Sequence, residues 1–130
     1  MNCWKGAAIN RKRIGVLGER VARDYIAKLG YRIIDTNFRC REGEIDIIAE
    51  KDEQLVFIEV RTRTGSGLGT PEESITLSKR QKLIEVANAY LQTHEGLPVS
   101  WRIDVVAVEL GPGGSVSRVE LIENAVTGDS

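Results

Sequence analysis

Asp46, Glu59 and Arg61 are the residues of this chain whose types and spacing best suit a chemical role. They lie in two largely apolar segments, 44–50 and 55–63, which a short polar turn separates. If these segments pair as antiparallel strands about the middle of that turn, residues opposite each other have numbers that sum to 105. Asp46 then faces Glu59, and because side chains alternate along a strand, the two carboxylates lie on one face.

Two carboxylates placed directly opposite each other destabilise a β-ladder, so this pair needs something that offsets its charge. A divalent cation would do so, since Mg²⁺ uses one or two protein carboxylates, keeps several waters and accepts phosphate oxygens. Such an ion polarises a phosphodiester and activates a bound water. The alternative is an ordinary strand face of cross-strand ion pairs, in which Arg61 and Arg63 balance the acids. Glu44 faces Arg61 in the same register, which predicts a salt bridge between them.

The same alternation predicts that one face of the strand pair is charged and the other apolar. We expect the charged face to be open to solvent or to a ligand, and the apolar face to pack into the core. The residues predicted on the apolar face are Ile45, Ile47, Ala49, Val56, Ile58 and Val60.

Hydrophobic periodicity predicts the elements that precede and form this strand pair. Apolar residues recur every three or four positions from Ile14 to Leu29, which predicts an amphipathic helix that Gly30 ends. Segments 31–38, 44–50 and 55–63 then read as three strands of an antiparallel meander.

A glycine-rich loop over residues 64–73 leads into the second half of the chain. Ser78 begins a capping-box pattern, which predicts a second helix that ends near His94. An apolar strand at 101–110 and an optional edge strand at 116–122 follow. The crossover through the second helix makes the strand before it and the strand after it parallel neighbours.

Length and charge limit what this chain can be. With 130 residues we expect a single domain, 1–130, that has a basic N-terminal segment at 1–12 and a flexible tail at 123–130. The net charge of −1 lacks the strong basic excess of many nucleic-acid-binding domains. The charge is polarised along the chain, however, with basic residues near its start and acidic residues near its end.

Cysteine usage and hydropathy exclude several classes of protein. Cys3 and Cys40 have no paired spacing, and with His94 as the one histidine they do not make a zinc cluster. The chain has no apolar run of about 20 residues for a membrane span and no signal-peptide pattern at its start. We therefore expect a cytoplasmic protein that does not bind membranes.

The strand pair also resembles a known motif. Residues 43–46 read Gly-Glu-Ile-Asp and residues 57–61 read Phe-Ile-Glu-Val-Arg, which resembles the PD-(D/E)XK motif of restriction-endonuclease-like nucleases and Holliday junction resolvases. The stretch from Gly18 to Val106 is similar to the YraN family of small bacterial proteins, which belongs to that superfamily. This resemblance implies an α/β fold: a restriction-endonuclease-like three-layer sandwich with core order α-β-β-β-α-β and a mixed sheet.

The resemblance also implies roles for individual residues. Asp46 and Glu59 are expected to bind Mg²⁺ or Mn²⁺, and Glu19 matches a helix glutamate that some resolvase-like members add to the metal site. Arg61 stands where the motif has lysine. Arginine stays protonated and presents a planar fork, so it can hold a phosphate bidentately but is poorly suited to tuning a nucleophilic water. Lys79, in the first turn of the second helix, is our candidate for the missing lysine's role.

We expect a nucleic acid, in the first place DNA, as the partner. Many resolvase-like relatives work as dimers, which makes a homodimer one possible state, although no apolar stripe in the sequence marks an interface. Arg102 and Asp104 share one face of an apolar strand, which predicts a structural ion pair or a support for Arg61 and Lys79. Trp4 and Trp101 suit either base stacking or the core. The cations expected to contact phosphates are Arg11, Lys12, Arg13, Arg63, Arg80 and Lys82.

Three functions follow as hypotheses. The first is a metal-dependent phosphodiesterase that cleaves structured or branched DNA. The second is a nucleic-acid-binding module that keeps the nuclease fold but has lost catalysis through the change of lysine to Arg61. The third, which we favour least, is a protein-interaction domain whose carboxylates form only ion pairs.

Overall fold

The computed structural model describes residues 11–65 and 70–126, which form one five-stranded sheet between two helices. The first helix packs on one face of the sheet and the second on the other, so the molecule has three layers. The predicted α/β sandwich with a mixed sheet is therefore confirmed. The elements are α1 (Arg11–Lys28), β1 (Arg32–Cys40), β2 (Gly43–Lys51), β3 (Gln54–Thr64), a 3₁₀ turn (Pro71–Ser74), α2 (Leu77–Thr93), β4 (Ser100–Leu110) and β5 (Val116–Val126).

Strand order follows chain order, from β1 at one edge to β5 at the other. β1, β2 and β3 form the predicted antiparallel meander, and β3 pairs with β4 in parallel. From Ile47↔Ile58 to Lys51↔Gln54, the residue numbers of partners in β2 and β3 sum to 105, as predicted. The central strands are thus positioned by the short turn between β2 and β3 and by the crossover through α2.

Both faces of the sheet are apolar at its centre, so the prediction of one charged and one apolar face is wrong. Ile47 packs with Ala22 and Ile26 of α1, whereas Ile45 packs with Leu83 and residues around it on α2. Ile45 and Ile47 therefore lie on opposite faces, although strict alternation would place them together. The alternation is interrupted at the position between them, which is where the candidate site begins.

The ends of several elements differ from the sequence prediction. α1 includes Arg11 and Lys12, so the end of the expected basic N-terminal segment is helical. α2 is capped by Thr76, whose Oγ1 accepts the Lys79 N–H at 3.1 Å, because this threonine rather than Ser78 has the extended backbone of an N-cap. β5 continues to the buried Val126, so residues 123–126 belong to the sheet and not to a tail.

Two parts of the predicted domain organisation lie outside the described residues: positions 1–10, which include Trp4, and positions 127–130. Within the described part of the chain, no helix has the length and hydropathy needed to cross a membrane.

Candidate active site

A cavity of about 640 Å³ opens at the carboxyl-terminal end of β3. Its walls are the second half of β3, the start of β2, the first half of α1, the 3₁₀ turn and the start of α2. Acidic and basic side chains are balanced in its lining, and all of the predicted metal-binding and catalytic residues are among them. The charged lining residues are Glu19, Glu44, Asp46, Glu59, Arg11, Arg61, Arg63 and Lys79.

Asp46 lies where β2 and β3 separate. The ladder between these strands ends at the pair Ile47↔Ile58, so Asp46 and Glu59 are not paired through the backbone as the register predicted. Instead, Oδ2 of Asp46 accepts the backbone N–H of Val60 at 2.8 Å. The carboxylate takes the place of a backbone acceptor, which holds it beside the strand that carries Glu59.

The pKa of Asp46 is raised, in part because the neighbouring acids of the cavity repel its charged form. Burial and the neighbouring Glu59 carboxylate raise the pKa of Asp46 to about 8. Glu19 adds to the rise, while the hydrogen bond from Val60 opposes it. The charged form of Asp46 is therefore disfavoured unless a cation offsets the negative charge around it.

Glu59 is buried, with 4% of its surface exposed, and two cations converge on it. Its Oε2 lies 3.3 Å from Nη1 of Arg61 and 3.4 Å from Nζ of Lys79. Lys79 reaches this position from the first turn of α2, as the sequence hypothesis required. The ammonium of Lys79 and the guanidinium of Arg61 thus share the same carboxylate oxygen.

Ser74 was missed by the sequence analysis, although it orients Arg61. Its Oγ accepts hydrogen bonds from Nε of Arg61 at 3.0 Å and from Nη2 at 2.8 Å, and it donates to the carbonyl of Pro71 at 2.6 Å. The segment read as a plain loop thus contains the 3₁₀ turn that carries this serine. The signal was the Thr-Pro-Glu-Glu sequence at 70–73, which is typical of a helical start.

Asn37 is a second residue that the sequence analysis missed. Its Nδ2 donates to both carboxylate oxygens of Glu19 at 3.2 Å and to Oε2 of Glu44 at 3.3 Å. Its φ of 54° is unusual within a strand, and such strain is concentrated at functional sites. Glu44 also lies 3.4 Å from Nε of Arg39. The predicted salt bridge between Glu44 and Arg61 is therefore wrong, because β2 turns toward β1 where it leaves β3.

Arg102 and Asp104 form a separate network that does not support Arg61 or Lys79. Nε of Arg102 lies 3.0 Å from Oδ1 of Asp104, so the predicted structural pair is present. Tyr31 Oη donates to Oδ2 of Asp104 at 3.3 Å, and the backbone N–H of Asn124 donates to Oδ1 at 2.7 Å. The oxygens of this buried carboxylate are occupied by these donors, which leaves it no role at the cavity.

The cations expected to bind phosphates are divided among three places. Arg11 and Arg63 line the cavity, and Lys12 and Arg13 line a neighbouring groove along α1. The last two cations, Arg80 and Lys82, lie on the exposed surface of α2 and line neither the cavity nor the groove.

Trp101 and His94 both pack against other aromatic rings. Trp101 meets Phe57 edge-to-face at 5.7 Å between ring centroids, in the core beneath α2. His94 stacks on Tyr90 at 3.8 Å and follows the last turn of α2, as expected for a capping or packing residue.

The donor set of the cavity fits a metal ion held by two carboxylates. Among the described residues, no group of three or more His, Cys, Asp or Glu side chains is placed to enclose a metal, so Glu19 does not complete such a group. Asp46 and Glu59 remain as a pair whose mutual repulsion a divalent cation would relieve. A two-carboxylate set is what Mg²⁺ commonly uses when waters and phosphate oxygens fill its other positions.

Comparisons with known proteins place the chain in a family. The model of the Uncharacterised protein family UPF0102 matches residues 18–108. The chain belongs to this family. UPF0102 proteins of Dehalococcoides mccartyi and Symbiobacterium thermophilum are each 46% identical to it, over 92% and 88% of this chain and 97% and 96% of their own. The UPF0102 protein of Caldanaerobacter subterraneus is 39% identical over 90% of this chain and 97% of its own. The resemblance of the stretch from Gly18 to Val106 to the YraN family is thus confirmed.

The solved structure of Pyrococcus furiosus SfsA in complex with Ca²⁺ is also similar, with 15% identity and a TM-score of 0.42. The match covers 90% of this chain and 65% of that one, and at this score it supports no conclusion about function.

Proposed function

We propose that this UPF0102 protein is a metal-dependent phosphodiesterase that cleaves DNA at the cavity between α1, β3 and α2. The observation that carries the proposal is the convergence of Asp46, Glu59 and Lys79: two repelling carboxylates, with a lysine ammonium 3.4 Å from the second. A bound Mg²⁺ or Mn²⁺ would polarise the phosphodiester and lower the pKa of a water ligand. The chain's own residues perform the remaining tasks.

Asp46 and Glu59 would hold the ion, and the structure fixes both carboxylates in advance. The N–H of Val60 anchors Asp46, while burial and two cationic partners restrict Glu59. A ligand that is ordered before the ion arrives loses less conformational entropy on binding. This preorganisation supports the assignment of both residues as ligands.

Lys79 takes the role of the motif's lysine in this proposal. Its compact ammonium can donate a hydrogen bond to a water beside Glu59, which helps to hold that water in line with the phosphorus atom. Arg61 contributes positive charge to the phosphate in the transition state. Because Ser74 holds Nε and Nη2 of Arg61, the guanidinium does not have to be ordered during the reaction.

The test is cleavage of labelled duplex, single-stranded and branched DNA, with an RNA strand for comparison, in Mg²⁺ or Mn²⁺. We expect cleavage that EDTA abolishes and that falls at least ~10²-fold in Asp46→Asn, Glu59→Gln and Lys79→Met. Asp24→Asn, which alters an exposed acid of α1 outside the cavity lining, is the matched control and should keep wild-type activity. Cleavage that survives Asp46→Asn would come from a contaminant and would overturn the proposal.

One observation favours a second function, a nucleic-acid-binding module without catalysis. Arg61, at the motif's lysine position, is bound to Ser74 and Glu59, and its guanidinium does not act as a base. This alternative predicts salt-sensitive binding that chelator does not change, with no cleavage of any substrate. Calorimetric titration with Mn²⁺ separates the two, because only the first function requires metal binding that Asp46→Asn removes.

A further inference from the structure

A second hollow, a groove of about 360 Å³, lies on the other side of α1 from the cavity. Residues of α1 alternate between the two hollows with helical periodicity, so the first half of this helix is a wall shared by both. The lining of the groove is Lys12, Arg13, Val16, Leu17, Arg20 and the glycine pair Gly113-Gly114 between β4 and β5.

The charge of the groove differs from that of the cavity. Among the described residues that line it, three are basic and none is acidic, whereas acids and bases are equal in number around the cavity. Lys12 and Arg20 are exposed, and neither forms an ion pair with a described residue. Concentrated positive charge of this kind disfavours the folded state and attracts a polyanion. The groove thus supplies the attraction that the balanced cavity lacks.

The shape of the groove suits a sugar-phosphate backbone. Val16 is 56% exposed and, with Leu17, offers an apolar surface between the cations. Gly113 has a φ of 72°, and no atom lies within 4 Å of the position that a Cβ would occupy there. The turn at Gly113-Gly114 therefore lets a nucleic-acid strand approach the protein backbone closely.

We infer that the groove binds the phosphates of the same nucleic-acid strand whose phosphodiester enters the cavity. This inference rests on the proposed function for the position of the cleaved bond. An α-helix with its side chains is about 10 Å wide, so a strand that enters both hollows has to cross at least that distance, which is more than one phosphate-to-phosphate step. The substrate is then a polynucleotide that continues past the cleaved bond across α1, not a dinucleotide.

The test is binding of fluorescein-labelled (dT)₂₀ and (dT)₂ to the full chain in EDTA, measured by anisotropy over a range of salt concentrations. In the double variant Lys12→Ala/Arg20→Ala, we expect the slope of log K against log salt for (dT)₂₀ to fall by about 1.4, which is the loss of two phosphate contacts. If the variant and the wild type bind equally at 1 M salt, this change in slope corresponds to roughly 25-fold weaker binding of the variant at 0.1 M salt. Binding of (dT)₂ should not change.

Lys28→Ala is the matched control, because Lys28 is an exposed cation of the same helix that lines neither hollow. It should bind (dT)₂₀ as the wild type does, and thermal melting should show that all variants are folded. Equal weakening by Lys28→Ala, no effect of the double variant, or no binding of (dT)₂₀ by the wild type would each overturn the inference.

Failure of the inference and failure of the proposed function are distinguishable. If the wild type cleaves DNA and the double variant leaves the KM for a 20-mer unchanged, the groove is not part of the substrate site. If the wild type does not cleave DNA but the double variant loses the salt-dependent binding, the groove is a nucleic-acid site. In that case the phosphodiesterase proposal fails and the inference about the groove does not.

Discussion

Asp46 and Asp104 are both held by a backbone N–H, yet they lie in opposite electrostatic surroundings. Asp104 is fully buried, and its oxygens accept hydrogen bonds from Arg102, Tyr31 and the backbone of Asn124. Asp46 accepts the N–H of Val60 at the wall of an open cavity and faces a second carboxylate. Hydrogen-bond donors offset the charge of Asp104, whereas Asp46 has one backbone donor in the described part of the chain and a second carboxylate beside it.

This difference shows how an acidic residue of the core can be distinguished from an acidic residue of a site. A buried charge is tolerated when its hydrogen-bonding capacity is filled, and it then serves the fold. A carboxylate whose neighbours raise its pKa stores an electrostatic cost that a ligand can relieve. Four predictions test this contrast, from the largest effect to the smallest.

Asp104→Ala should lower the free energy of unfolding by about 3–5 kcal/mol, because the partly buried guanidinium of Arg102 and the backbone N–H of Asn124 lose the carboxylate that they share. Chemical denaturation measures the loss. Asp24→Ala, at an exposed position of α1, is the control and should change stability by less than about 0.5 kcal/mol. If Asp104→Ala costs no more than this control, Asp104 is not structural and the contrast with Asp46 disappears.

The metal-free protein should lose stability as the pH rises from about 4 to about 8. The pKa of Asp46 is about 8 in the folded chain and ordinary in the unfolded one, so between these values the folded state binds more protons. As the pH rises through this range, Asp46 has to lose its proton in the folded chain, and the free energy of unfolding falls by an amount on the order of a few kcal/mol. Urea denaturation at several pH values in EDTA measures it.

In Asp46→Asn this part of the pH dependence should be absent, and MgCl₂ at pH 8 should stabilise the wild type but not the variant. The groups that face Asp46 and shift its pKa, Glu59 and Glu19 upward and the Val60 N–H downward, are the same in both proteins. Identical pH profiles for the two would show that the cavity acids do not repel one another.

Ser74→Ala should lower kcat about tenfold with little change in KM, because Arg61 loses the acceptor of two of its N–H groups. Ser74→Thr keeps the hydroxyl and should restore most of the rate. Ser117→Ala removes an exposed hydroxyl outside the cavity lining and should leave kcat unchanged. A loss in Ser74→Ala that Ser74→Thr does not restore would mean that packing, and not the orientation of Arg61, is affected.

Tyr31→Phe should cost about 1 kcal/mol of stability, because the hydroxyl links Arg102 to Asp104. Burial, and then the Asp104 carboxylate, raise the pKa of Tyr31 to about 12. Spectrophotometric titration should therefore show an ionisation near pH 12 that is missing in Tyr31→Phe, whereas Tyr90, whose pKa is raised by its own burial, should titrate alike in both proteins. A normal titration of all tyrosines would indicate that this network is open to water.

Much of the fold was predictable because its signals are local. The apolar periodicity of α1, the alternation along β2 and β3 and the short turn between them were sufficient for the element order and for partner numbers that sum to 105. The N-cap of α2 and the length of β5 were wrong by a few residues, because the ends of elements depend on backbone angles that periodicity does not encode.

The sequence by itself determined the three-layer sandwich, the family and the grouping of Asp46, Glu59 and Arg61, since each follows from local pattern or from a motif within two adjacent strands. Only the tertiary structure decided that β2 leaves β3 at Asp46 and that Ser74 and Asn37 hold the residues of the cavity. It also separated Asp104 from the site. These contacts join different layers of the molecule, and their geometry depends on how helices and strands pack, which no short-range pattern specifies.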